Sequence, residues 1–340
     1  MQFSRRQILA GSMALPALLR SAETASAATI LKISHQFPGG SAESGDFRDR
    51  LCRLFAQEIT RRSNGQIEIQ VYANSSLMKT NAQFSALRKG ALDMSLVPLS
   101  YAGGEVPETN IGLMPGLVAS YEEGAAWKTQ RIGQELAGIL AEKGILIVSW
   151  IWQAGGIASR SHPLVTPADT KGLKVRGGSR EMDLVLQAAG AAVISLPSNE
   201  LYAAMQTGAC DAGITSSTSL ISFRLEETAK HLTTGRGKSF WFMLEPLMMS
   251  KAIFDRLPTA HQNLIMSVGA EMEVFAREGA MADDLEVAKV YAKAGAKIHD
   301  LDDAIVEQWR SLARETAWKD YAAKNANSAR LIKLAEAVRA

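Results

Sequence analysis

Histidine, cysteine and aromatic residues are scarce in this chain of 340 residues: five His, two Cys and 6 % aromatics. The histidines, His35, His162, His231, His261 and His299, are scattered. None stands in a His-Glu-x-x-His helix or another metal-ligand spacing. No Gly-x-Ser-x-Gly elbow, Walker loop or dinucleotide glycine loop is written anywhere. These absences weaken a catalytic reading, and no cofactor and no metal are expected. Cys52 and Cys210 are too few for a disulfide framework and read as buried free thiols. Past residue 27 there is no run of about 20 uninterrupted apolar residues, so a membrane span is not expected there.

The N-terminus is different. "SRRQILAGSMALPALL" carries a twin arginine, Arg5 and Arg6, then an apolar run broken by Gly11 and Pro16. Arg20 and the small residues Ala25-Ser26-Ala27 follow. This pattern reads as an export signal of the twin-arginine type over residues 1–27, cleaved after Ala27, so the mature chain is expected in the periplasm. A general secretory signal with an incidental arginine pair is the other reading. The signal takes three basic and one acidic residue out of 37 and 35, leaving 34 of each. A neutral mature chain has no basic field to gather nucleic acid or an anionic membrane.

What the chain does contain is a repeat. "FSALRKGALDMSLV" (84–97) and "YAAMQTGACDAGIT" (202–215) align at an offset of 118 residues, with Gly90 on Gly208 and Asp93 on Asp211. Each reads as a helix closed by a glycine and followed by a strand. Around the first repeat, strands at 30–37 and 66–73 flank a helix that ends at Asn64-Gly65. Around the second, "GLKVR" (172–176) is a strand and 180–189 a helix. The alternation predicts two similar α/β lobes built on parallel strands. One helix is predicted over about 122–143. The apolar run 145–152 is predicted as a buried strand connecting the lobes, and a long helix is predicted over about 259–293. A cleft between two such lobes is the expected place for a small molecule.

"TPADTKGLKVR", "VISLPSNELYAAMQTGACDAG" and "SKAIFDRLP" together resemble the DctP-like solute-binding subunits of tripartite ATP-independent periplasmic (TRAP) transporters. The resemblance runs from about Ile30 into the last helices, taking in "SNGQIEIQVYANSSLM" and "ALRKGALDM". It implies an α/β, two-lobed periplasmic-binding-protein fold of type II-like form, with a central cleft and a long connecting helix. The first lobe is then expected at 28–152 plus about 242–281, the second at 153–241 plus about 282–340. It also implies a receptor that binds a small carboxylate and delivers it to a small and a large membrane subunit.

The family's signature arginine falls on Arg176, where it implies a pairing with the ligand carboxylate. A guanidinium fork fits a carboxylate with two donors in fixed orientation. A surface arginine ending an edge strand is the plainer reading. Where the family often has an asparagine, this chain has Thr215, followed by Ser216; hydroxyls suit a carboxylate and equally suit strand-end capping. Many members carry a second arginine about 20 residues before the first. Gly156 stands near that place and Arg160 comes four residues late, which favours a monocarboxylate over a sialic acid or a C4-dicarboxylate. Trp152, Trp241, Phe240 and Phe37 are candidate aromatic walls, against core packing as the alternative. Two other functions stay open: a ligand receptor for a sensor kinase, and a periplasmic enzyme processing an acid on the same scaffold. The enzyme would need an acid–base pair in the cleft, and none is evident.

Overall fold

The computed structural model describes residues 28–338; the expected export signal lies outside them. Twelve strands are present among these residues. In chain order they are β1 (Thr29–His35), β2 (Ile67–Tyr72), β3 (Met94–Leu96), β4 (Ile145–Ser149), β5 (Trp152–Ser159) and β6 (Lys174–Arg176). Then come β7 (Ala192–Ile194), β8 (Ala212–Ser216), β9 (His231–Thr234), β10 (Phe242–Leu244), β11 (Leu247–Ser250) and β12 (Lys297–Asp300). One sheet has the order β2-β1-β3-β11-β4 and the other β12-β9-β5-β8-β6-β7, with β10 added beside β5. Each lobe is thus a largely parallel sheet carrying one antiparallel visitor: β11 in the first, β5 in the second. This is the two-lobed α/β fold.

The chain crosses between sheets twice, once inside the apolar run 145–152 and once at Glu245-Pro246. The predicted strand 145–152 is β4 and the start of β5, broken at Trp150-Ile151 where the chain changes lobe. "SFWFMLEPLMMS" divides the same way, with β10 on the second sheet, Glu245-Pro246 at the turn and β11 on the first. The two crossings are pinned together, because Glu245 N–H donates to the Ile151 carbonyl at 2.8 Å. The long helix Thr259–Lys293 packs against both sheets, and its residues Ile265, Val268, Ala276 and Val287 are buried along its length. The helix predicted over 122–143 is two, Tyr121–Trp127 and Arg131–Glu142. Periodicity hid the break, since Trp127, Ile132 and Leu136 on both pieces enter the same core. The last helices touch both halves. Arg180 of the second lobe bonds Asp320, while Tyr321 donates to the Glu108 carbonyl of the first.

The repeated phrase now has a physical explanation. In each copy a short helix (Gln83–Arg88, Leu201–Gln206) ends at a glycine with φ +67° or +76°, a left-handed turn that a Cβ would strain. The aspartate three residues later turns its carboxylate onto the neighbouring parallel strand. Asp93 Oδ2 accepts from Lys32 N on β1 at 2.8 Å, and Asp211 Oδ2 accepts from Lys174 N on β6 at 2.8 Å. The carboxylate satisfies the backbone donor one residue before pairing with the repeat's own strand begins, at Ile33↔Met94 and at Val175↔Ala212. The repeat therefore sets strand register. Its functional content lies at the other end, where β3 and β8 point their carboxyl ends at the cleft between the sheets.

Candidate functional site

β6 ends at Arg176, which is buried at 3 % exposure in the wall of the cleft. Its guanidinium donates through Nε to the Leu196 carbonyl (3.0 Å), through Nη1 to the Ile214 carbonyl (2.7 Å) and through Nη2 to the Tyr101 hydroxyl (2.9 Å). Three of five donors are used, leaving one N–H on each terminal nitrogen. Tyr101 belongs to the first lobe, in the turn after β3, and its hydroxyl also accepts from Ser198 N of the second lobe at 3.0 Å. Arg176 thus reaches across the cleft. Asp183, beside it on helix Arg180–Ala188, is pushed up to about 6 by burial, with the Arg176 charge pulling the other way.

Arg176 shares a small closed pocket with Pro98, Tyr101, Gly178, Thr215, Trp241 and Met243. Its free space is about 10 Å³, room for a water. Next to it the cleft mouth opens to about 320 Å³ between Ser100, Tyr101 and Asn110 of one lobe and Gly178, Ser179 and Leu196 of the other. Asn110 is 1 % exposed, and neither atom of its amide has a partner.

Of the residues expected from sequence, three come together here: Arg176, Thr215 and Trp241. The indole Nε1 of Trp241 is buried without a partner. Ser216 adjoins Thr215 but caps helix Ser217–Ser222, its Oγ accepting from Ser219 N and donating to Ser219 Oγ. Phe240 is stacked on Trp309 at 4.5 Å, inside the core. Phe37 lies under the Arg48 guanidinium, 3.6 Å from its ring centre. Trp152 packs edge-on to Trp127 on the far side of the crossing segment. Arg160 stands beyond Ser159, which pairs with Ala212 at the opposite end of β8 from Thr215. Gly156 is the residue that faces Thr215. A Cβ there would collide with the Thr233 carbonyl, and one on Gly155 with the Thr215 carbonyl and the Trp241 ring. Close backbone approach excludes a second arginine from this position. Among the described residues no group of three or more His, Cys, Asp or Glu gathers to hold a metal. Both cysteines are free and buried, and burial pushes their thiols up.

Sequence reasoning missed Tyr101, Asn110 and Met243. The offset of 118 was the available signal for the first, because it pairs Val97 with Thr215 and so marks the residues just after Val97 as cleft wall. It also missed Arg48, which is fully buried where the lobes join. Asp46 holds it with two bonds, Nε to Oδ1 (2.9 Å) and Nη2 to Oδ2 (2.7 Å). Nη1 donates to Glu245 Oε2 and to Ser219 Oγ, both at 3.1 Å. Burial pulls against the cation, and the two acids outweigh it, so Arg48 stays charged. Glu245 shares Oε2 with Arg48 and the Gln153 amide and keeps an unpartnered Oε1. Burial pushes it up to about 7, against the Arg48 charge.

Two lobes, two crossings, a connecting helix and a buried guanidinium in the intervening cleft define a ligand-capturing receptor. The family model described as "Bacterial extracellular solute-binding protein, family 7" (DctP) matches residues 41–325, and the chain belongs to this family of TRAP solute-binding proteins. A solute-binding protein of Albidiferax ferrireducens is 63 % identical over 333 residues, 98 % of each chain. The crystal structure of a TRAP periplasmic solute-binding protein from Rhodoferax ferrireducens, with bound malonate, is 65 % identical with a TM-score of 0.90, covering 91 % of this chain and 98 % of that one. Bordetella pertussis DctP7, crystallised with pyroglutamic acid, shares the fold at 23 % identity and TM-score 0.80, over 91 % and 99 %.

Proposed function

We propose that this chain captures a small organic acid in the periplasm by its carboxylate and hands it, unchanged, to the small and large membrane subunits of a TRAP transporter. The observation that carries this is Arg176: a buried cation with two uncommitted donors, bonded across the cleft to the other lobe. Burial without an acid partner is costly for a guanidinium unless a ligand completes the site. Malonate in the 65 % identical protein supports a short acid. The packed Gly155-Gly156 wall keeps a second arginine off β5, and Arg180 at the cleft mouth is already paired with Asp320, so one carboxylate meets Arg176 and the remainder of the ligand meets Trp241, Thr215 and the Asn110 amide. We take the moving units to be residues 28–152 with about 242–281 and residues 153–241 with about 282–340, hinged at the two crossings.

The test is a thermal-shift panel of acids: malonate, succinate, lactate, pyroglutamate and galacturonate. A true ligand present at 100 times its Kd adds about 2.7 kcal/mol of stability. A short acid is expected to raise the melting temperature while its methyl ester does not. Equal shifts from acid and ester, or shifts only from neutral sugars, would remove the carboxylate from the proposal.

Export through the twin-arginine route is the second part. Among the described residues no helix is long and apolar enough to cross a membrane. The mature protein is expected to start near Ala28, and the Arg5→Lys/Arg6→Lys variant is expected to stay in the cytoplasm. N-terminal sequencing of the periplasmic fraction decides it, and a chain found there with Met1 intact would refute cleavage.

A further inference from the structure

We propose a second small-molecule site, on the back of the hinge, that takes a small aromatic carboxylate. A cavity of about 160 Å³ lies between the crossing segment and the long helix Thr259–Lys293. Tyr121, Trp150 and Trp152 form an aromatic wall, and Val274 and Arg277 of the long helix face it. The site shares no lining residue with the Arg176 pocket.

Each chemical element of the ligand follows from an observation. An apolar cavity of about 150 Å³ accepts benzene, so this volume suits one aromatic ring. Three aromatic walls offer stacking and edge contacts to it. The Trp152 indole Nε1 is buried and has no acceptor, although Trp152 is only 5 % exposed. Arg277 supplies the charge; no acid lies within ion-pair distance of it among the described residues, and it is exposed and able to turn onto the ligand. The acid in the wall, Glu273, is already committed. Lys128 Nζ donates to both of its oxygens, at 2.9 and 2.8 Å, and Trp150 N donates to Oε1 at 2.9 Å. Lys128 thus neutralises the one charge that would repel an anion.

Benzoate is the probe, followed by calorimetry and by tryptophan fluorescence, since two indoles line the site. Benzyl alcohol (no charge) and cyclohexanecarboxylate (no aromatic ring) are the controls. Benzoate is expected to bind with a Kd between about 10 μM and 1 mM, the range for a ligand of about nine heavy atoms. Arg277→Gln, an exposed substitution that leaves the fold intact, is expected to weaken it at least tenfold. Ala270→Phe, which fills the cavity from the helix side, is expected to abolish it. Arg176→Ala is expected to leave benzoate affinity within about twofold, which separates this site from the cleft. Absence of benzoate binding at millimolar concentration overturns the proposal. So does binding that survives in Arg277→Gln and disappears in Arg176→Ala, or equal binding of both controls.

Discussion

Arg48→Met is expected to destabilise the protein by about 3–5 kcal/mol at pH 8, the cost of breaking a buried ion pair and leaving its acids uncompensated. At pH 5.5 the loss is expected to be markedly smaller. The difference comes from Glu245, whose carboxyl is raised from 4.5 to about 7 by burial. A raised carboxyl favours folding in its protonated form. This contribution is complete below about pH 4.5, fades as pH rises, and is gone above about pH 7, where both states are ionised. In the wild type Arg48 limits that decline. Without the cation the Glu245 carboxyl rises further, so the decline extends to higher pH and its total is larger. Asp46 also caps helix Phe47–Arg62 by accepting from Arg48 N, a bond that Met at position 48 retains. Adding Glu245→Gln to Arg48→Met removes the titrating group and is expected to flatten the profile. Urea unfolding of the three proteins at both pH values measures this. A loss of equal size at pH 5.5 and pH 8 would show that packing over Phe37, not charge at the hinge, sets the contribution of Arg48.

The contrast between Arg48 and Arg176 explains what was legible in the sequence. Arg176 stands in a phrase of fixed order, Gly-Leu-Lys-Val-Arg, at the end of a strand whose neighbour carries the second repeat. Local text and family resemblance both mark it. Arg48 stands in "SGDFRDRLCRLF", where every charged residue fits an ordinary helix face. Its partners Ser219 and Glu245 lie 171 and 197 residues away, and no periodicity reports that distance. The aromatic candidates fail to separate for the same reason. Phe240 and Trp241 are adjacent in one strand-like run, and alternation correctly puts them on opposite faces. Which face meets the cleft is decided by Trp309, from the last helices, stacking on Phe240. That the chain changes lobe near 152 and 242 was expected, but the break inside 145–152 was not, because the apolar run continues through Trp150-Ile151 and both flanking strands are buried. Lobes, repeat and connecting helix were readable because each is encoded locally. The contacts that pin the hinge were not, because they join segments distant in the chain.

Arg176→Ala is expected to weaken binding of the best acid by about 2–5 kcal/mol, roughly 30-fold to several thousand-fold. The pocket beside Arg176 has only about 10 Å³ of free space and must widen to admit a carboxylate, which then loses its hydration against the guanidinium and depends on it. The variant is also expected to melt lower, because the Leu196 and Ile214 carbonyls lose their donor inside the protein. Affinity is therefore compared at a temperature where each variant is folded. Asp183 supplies a second readout. Burial already pushes it up to about 6 with Arg176 opposing. Removing that cation raises it further, so in Arg176→Ala a proton is held at Asp183 around neutral pH and affinity gains a pH dependence there. Arg176→Lys keeps the charge and loses the fork, and is expected to recover part of the affinity only. Thr215→Val removes one hydroxyl from the same pocket and is expected to cost less, about 1–3 kcal/mol. Calorimetric titration of the three variants gives the ranking. If Arg176→Ala binds within about threefold of wild type, the carboxylate is held elsewhere in the cleft. The unpartnered Asn110 amide at its mouth is then the next group to change, because an amide left buried without a partner is the remaining polar group there that a ligand would satisfy.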